Sequence, residues 1–310
     1  MPTAMIDPAA PAPMDATAVP ESPTPEWLDA LCRERAAYNL PPRANARAGS
    51  FADGILAFLF PHFAPRLDGQ REALDRELAH IADESQTLFA DFLAHQAGPG
   101  LTQTTEASID ADGAASRAAF VASLPALREA LSADAHFLVA SDPAATSVDE
   151  VILAYPGFYA TACYRLAHRI RELGIPLLPR LITEHAHMRT GIDIHPGATI
   201  GVPFAIDHGT GIVIGETASV GVRVRMYQGV TLGALSVEKG LASAKRHPTI
   251  GDDVVLYANA TVLGGRTVVG NGSVVGGNVW LTKSVAARST VLSEQRDGGT
   301  GDGGRETGVR

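Results

Sequence analysis

The chain has 310 residues, 45% of them apolar, with a net charge of −9 and a pI near 5.5. It is long enough to bury a sizeable core, and its acidic balance argues against a sequence-independent grip on nucleic acid. Two cysteines, Cys32 and Cys163, cannot form a disulfide framework and suit a reducing compartment, and the longest apolar stretches, such as Ile55 to Phe60, are too short to span a bilayer.

Residues 1–50 are expected to be disordered: the first 25 hold seven prolines and six alanines with few large apolar groups to offset ordering entropy. No basic start followed by an apolar block opens the chain, and Asp7, Asp15 and Glu21 argue against an Arg-rich transit peptide, so the expected location is cytoplasmic. Residues 51–191 read as an α-helical domain. Leu74, Leu78, Ile81, Leu88 and Phe92 form one apolar stripe, and Cys163, Leu166, Ile170 and Leu173 form another that Gly174 and Pro176 stop. Leu178, Leu181 and Met188 mark a short helix ending at Gly191, and Ser141 to Ala145 (SDPAA) reads as a helix start, a polar cap with proline in the first turn.

From Ile192 the helical period gives way to an aliphatic ladder with a step of six. It runs Ile194, Ile200, Ile206, Ile212, slips two residues to Ile214, Val220, Met226, Leu232, and resumes as Ile250, Leu256, Val262, Val268, Val274, Trp280. A hexapeptide period predicts a parallel β-helix over 192–285, with ladder residues stacked inward and small residues at the corners. Residues 233–249 interrupt the ladder and are expected to form a loop thrown out of the coil. Residues 286–310, which end in a stretch with six glycines, read as a flexible tail.

The ladder resembles the left-handed β-helix acyltransferases, and the segments DIHPGATIG, IDHGTGIVIGE, YQGVTLGA and KRHPTIGDDVV are similar to serine O-acetyltransferase within that superfamily, over about Asp142 to Trp280. The YPGFYA and GGNVW forms look closest to its EpsC-like branch. The resemblance implies an α+β fold, an N-terminal helical domain followed by a left-handed parallel β-helix. It implies transfer of acetyl from acetyl-CoA to the hydroxyl of L-serine by a homo-oligomer, a trimer or a dimer of trimers, without a metal. His208 is implied as the general base and Asp193 as the acid that orients it. Asp142 and Asp207 are implied to hold the substrate ammonium, Arg246 and His247 the carboxylate, with Glu216 also at the site. The resemblance further implies a groove that takes acetyl-CoA, along which Gly233, Ala258 and Gly276 are expected to fall. The family's C-terminal isoleucine, which plugs into cysteine synthase, has no counterpart here, which argues against stable pairing with that partner.

The residues also admit plainer readings. Asp142 alone could be a helix-start residue, Arg246 an ordinary loop charge, and His195 before Pro196 a corner residue. An acetyltransferase acting on an amino sugar or other small alcohol is the alternative on the same coil. A zinc-dependent hydratase would need His195, His208 and His247 to converge, and a non-catalytic scaffold would have no use for His208.

Overall fold

The computed structural model describes residues 25–38, 40–63, 71–98, 102–235 and 244–293. The chain divides into two compact units, residues 1–39 and 40–310. The first contributes helix α1 (Pro25–Ala37). The second opens with α2 (Ala44–Leu59), α3 (Arg71–Ala97), α4 (Gln103–Ser141), α5 (Val148–Ala154), α6 (Pro156–Glu172) and α7 (Leu178–Thr190). Both α1 and α2 begin inside the segment 1–50 that composition marked as disordered. For α2 the reason is a buried face of Ala48, Phe51, Ala52 and Ile55, only partly visible before Phe51 because its early members are alanines. The expectations for 1–24, 236–243 and 294–310 lie outside the described residues.

Helices α2 to α7 share one apolar core, in which Phe51, Leu88, Phe89, Phe92, Phe120 and Leu131 are fully buried. Ile81, Leu88 and Phe92 of the expected α3 stripe point into it, whereas Leu74, in the first turn, stays exposed. Gly174 with positive φ follows α6, and Gly191 caps α7 in the left-handed region, as the spacing predicts. The expected helix start at Asp142 is overturned. Asp142 is the C-cap of α4; Pro143 cannot continue that helix, and α5 begins six residues later with Ser147 as its N-cap.

Beyond Gly191 the chain forms the left-handed parallel β-helix of about five turns. Its strands are β1 (Asp193–Ile194), β2 (Thr199–Ile200), β3 (Phe204–Ile206), β4 (Val213–Ile214), β5 (Ser219–Val220), β6 (Val224–Met226), β7 (Thr231–Gly233), β8 (Thr249–Ile250), β9 (Val255–Leu256), β10 (Thr261–Leu263), β11 (Val268–Val269), β12 (Val274–Val275), β13 (Trp280–Leu281) and β14 (Thr290–Val291). They stack into three parallel sheets. Face one is β1-β4-β7-β10-β13, face two β2-β5-β8-β11 and face three β3-β6-β9-β12-β14. The coil thus runs past residue 285, because Thr290 and Val291 pair with β12.

Register shows where the six-residue step holds. Ile194, Ile214, Leu232 and Val262 align on face one, Ile200, Val220 and Ile250 on face two, and Ile206, Met226 and Leu256 on face three. After Val262 the expected positions Val268, Val274 and Trp280 are wrong by one. The inward column continues through Val269 and Val275, while Val268 and Trp280 are 42% and 69% exposed. One extra residue in the Gly264–Thr267 corner moves the chain by half a pleat, which turns every following side chain to the opposite face. Between Leu232 and Ile250 the twelve surplus residues leave at a single corner, and Ser219 still pairs directly with Thr249.

The first coil would present unpaired backbone groups at its open end. Helix α6 covers them. Tyr164 donates its hydroxyl to the Ala198 carbonyl (2.7 Å) and accepts from the Ile200 N–H (3.1 Å). Arg165 donates to the carbonyls of Ile200 (3.2 Å) and Gly201 (2.9 Å) and to both oxygens of buried Asp134 on α4, which accepts from the Phe204 N–H at 2.8 Å. Gly157 lets α6 approach β3: a Cβ there would overlap the Ile206 carbonyl. The register is open to test by urea unfolding. Val269→Ala should cost about 2 kcal/mol and Val268→Thr less than about 0.5 kcal/mol; an unbroken six-residue step predicts the reverse order.

Candidate active site

Two polar clusters form on different edges of the coil. On the edge where face three turns into face one, β3 is followed by Asp207, His208, Gly209 and Gly211. His208 itself has φ of 57°, in the left-handed region, and it is 71% exposed at the side chain. Its Nε2 lies 3.8 Å from Asp207 Oδ1. The end of α4 brings Asp142 to the same edge, and a small cleft is lined by Asp142, Asp207, Arg225 and Tyr227. Asp142 accepts from the Tyr155 hydroxyl (2.6 Å) and the Ala144 N–H (2.8 Å). These two donors, Tyr155 first, hold its carboxyl below the usual carboxylate range, with a smaller contribution from His208. Further along the edge the rings of Tyr227 and Tyr257 stack at 5.1 Å between centroids.

The other cluster sits where face one turns into face two. Glu216 accepts from the Arg246 guanidinium at 2.5 Å, with Arg171 at 3.9 Å from its second oxygen. Thr217 organises the neighbouring pair: its hydroxyl oxygen accepts from the backbone N–H groups of Arg246 (2.9 Å) and His247 (3.0 Å). The Thr217 N–H donates to His247 Nδ1 at 3.1 Å, so the ring proton belongs on Nε2. The ring packs close against the coil because residue 215 is glycine; a Cβ there would overlap it. Burial, then the adjacent Arg246 charge, pushes His247 down to about 4. His195 joins this cluster half-buried, its Nδ1 accepting from the Gly197 N–H (3.0 Å), and burial lowers its pKa as well. Beside it opens a cleft of about 560 Å³ lined by Lys245, Arg246, Arg266 and Lys283.

The structure therefore brings His208, Asp207 and Asp142 together, and separately Arg246, His247 and Glu216; the width of face one lies between the two sets. The three histidines of a zinc site do not converge. Asp193 is on β1 and makes no hydrogen bond or ion pair with His208 among the described residues. Its carboxylate instead lies within 4.8 Å of ligand atoms of Glu184 and His187. The expected Asp193–His208 contact assumed an eighteen-residue coil, but the first coil takes twenty, Asp193 to Val213, and its surplus lies in the His208 corner. Ala258 and Gly276 follow face-three strands and share the His208 edge, whereas Gly233 ends β7 on face one and lies at the Arg246 edge.

No protein-family model matches the chain. The serine acetyltransferase (plasmid) of Synechococcus elongatus is 42% identical over 271 residues, covering 83% of this chain and 83% of that protein. The chain belongs to the serine acetyltransferases. The serine acetyltransferase of Bacillus subtilis is 49% identical over 151 residues, 49% of this chain and 67% of that one. The crystal structure of serine acetyltransferase 1 from Entamoeba histolytica in complex with L-cysteine superposes with a TM-score of 0.67 at 33% identity, covering 78% of this chain and 86% of that one. Family membership makes the chain an acyltransferase.

Sequence reasoning missed Tyr155 and Thr217 at these clusters. Thr217 had a readable signal, since it follows Glu216 at a corner, but its hydroxyl is engaged by residues thirty positions later. Tyr155 had none, because only the fold brings α5 and α6 against the end of α4. The lowered pKa of His247 gives a pH test. The unfolded chain takes up a proton near pH 6.5 and the folded chain only near 4, so His247 makes stability fall as pH drops from about 6.5 towards 4. The His247 ring should remain neutral at pH 5.5 by NMR, and His247→Gln should flatten the stability profile in that window.

Proposed function

We propose that the chain transfers the acetyl group of acetyl-CoA to the hydroxyl of L-serine, giving O-acetyl-L-serine and CoA. The observation that carries this reading is the pairing of charges with reactants. Two carboxylates beside an accessible imidazole suit an ammonium next to a hydroxyl, and a guanidinium with a neutral histidine suits a carboxylate. His208 Nε2 takes the proton from the serine hydroxyl as that oxygen attacks the thioester carbonyl. The tetrahedral adduct then collapses, and the departing CoA sulfur receives the proton from His208. Asp142 and Asp207 hold the ammonium. Arg246, oriented by Glu216, and His247, donating through Nε2, hold the carboxylate. Asp193 is the proposed orienting acid, reached when the exposed ring turns from Asp207 towards β1; such contacts often tighten only with substrate bound.

The two half-sites on different edges support a site completed between copies. In a three-fold ring the Arg246 edge of one chain meets the His208 edge of the next, a heterologous contact that closes. Acetyl-CoA would lie along this seam, past Ala258 and Gly276 of one chain and Gly233 of its neighbour, with its phosphates near Lys245, Arg266 and Lys283. The two cysteines, which form no disulfide, suit the cytoplasm as the proposed location.

His208→Ala should lose turnover by ~10²–10⁴-fold, and Arg246→Ala should raise the serine KM by ~30-fold, the equivalent of about 2 kcal/mol. Mixing the two variants and reassembling them should restore activity, because some seams then carry both intact halves. No recovery in verified mixed oligomers would mean that each chain holds a whole site. L-Cysteine shares the ammonium and carboxylate of serine, so it should inhibit competitively with serine and less strongly in Arg246→Ala; a serine titration at several cysteine concentrations measures this.

A further inference from the structure

Asp142 lies just beyond the end of α4, where no helix constrains its side chain. Each of its oxygens is nevertheless held, Oδ1 by the Ala144 N–H and Oδ2 by the Tyr155 hydroxyl. The Ala144 contact is local and travels with the turn. The Tyr155 contact fixes the carboxylate against a separate part of the fold.

Tyr155 is suited to that task. It is at once the C-cap of α5 and the N-cap of α6, its N–H donates to the Val151 carbonyl at 3.1 Å, and Pro156 sets the next turn. Two helix ends therefore fix its backbone. We infer that Tyr155 is a positioning residue for serine binding, acting through its hydrogen bond to Asp142, which holds that carboxylate towards the cleft it shares with Asp207. The inference rests on the reading of Asp142 as an ammonium ligand. The carboxylate, with the other acidic groups nearby, pushes the Tyr155 phenol up to about 12, so it stays protonated and donating throughout the working pH range. The same bond favours the ionised form of Asp142, the only form that attracts an ammonium. The titratable and charged groups facing Asp142 are His208 and Asp207 from the coil edge, Arg225 from β6 and Glu150 from α5.

The test compares Tyr155→Phe, Asp142→Ala and the double variant, measuring kcat, both KM values, melting temperature and the pH profile of kcat/KM for serine. Tyr155→Phe keeps the ring and should leave melting, kcat and the acetyl-CoA KM nearly unchanged. It should raise the serine KM ~10-fold, the usual effect of losing a hydrogen bond to a charged group. The lower, acid-most part of the pH profile, beneath the step set by the general base, should move to higher pH, because Asp142 then protonates more readily. Added to Asp142→Ala, it should cause no further loss, since the partner through which it acts is already gone. A Tyr155→Phe effect that persists in full on top of Asp142→Ala, or one that falls on kcat alone, overturns the inference. So does a silent Tyr155→Phe beside a damaging Asp142→Ala. If Asp142→Ala itself leaves the serine KM unchanged, the reading of Asp142 as a ligand fails instead.

Discussion

The organisation of this chain depends on the way α6 and α4 satisfy the open end of the β-helix. A stacked coil has paired backbone groups everywhere except at its ends, where bare N–H and C=O groups either face water or find partners. Here Tyr164 and Arg165, adjacent on α6, engage the Ala198, Ile200 and Gly201 carbonyls and the Ile200 N–H, and Asp134 on α4 takes the Phe204 N–H. Breaking a buried pair such as Asp134–Arg165 typically costs about 3–5 kcal/mol, because the surviving charge is left without a partner. The same contacts set chemistry as well as stability. From Asp134 the helix runs eight residues to Asp142, about 12 Å, and from Phe204 the chain runs three residues to Asp207, about 10 Å. Two segments clamped at one point and of similar reach bring two carboxylates to one edge of the coil.

The coil tolerates irregular spacing because only its inward residues are constrained. Successive turns on face one take twenty, eighteen, thirty and nineteen residues, read from Asp193, Val213, Thr231, Thr261 and Trp280. Each surplus is expelled at a corner, and two of those corners are functional candidates. The corner of the first turn carries His208 on strained backbone, and that of the third turn delivers Arg246 and His247 onto Thr217. An insertion in a corner keeps the packed column in place while projecting polar groups beyond the prism, although an odd one, as at Gly264–Thr267, changes which residues fill it. An insertion within a strand would invert the burial of everything after it.

The β-helix and the helical segment before it were legible in the sequence because each rests on local pattern: a six-residue apolar step, 3.6-residue stripes, glycine at helix ends; the polar site residues were singled out by family resemblance instead. The ladder failed only after Val262, where one added residue reversed the pleat while valines at both 268 and 269 kept the sequence looking regular. Asp142 was legible as a residue of interest but not as a helix end, since proline follows helix ends as readily as it opens helices.

The sequence by itself determined that the core is a column of stacked aliphatics and which side chains stand at its corners, because burial in a repeating fold is a periodic property of neighbouring residues. Only the tertiary structure decided which of those side chains meet. His208 lies with Asp207 and Asp142, Arg246 with Glu216 and Thr217, and Asp193 with Glu184 and His187, across separations of up to 66 residues. Those meetings follow from the number of residues in each turn and from the clamp between helix and coil, and neither quantity is written in any local stretch of the chain.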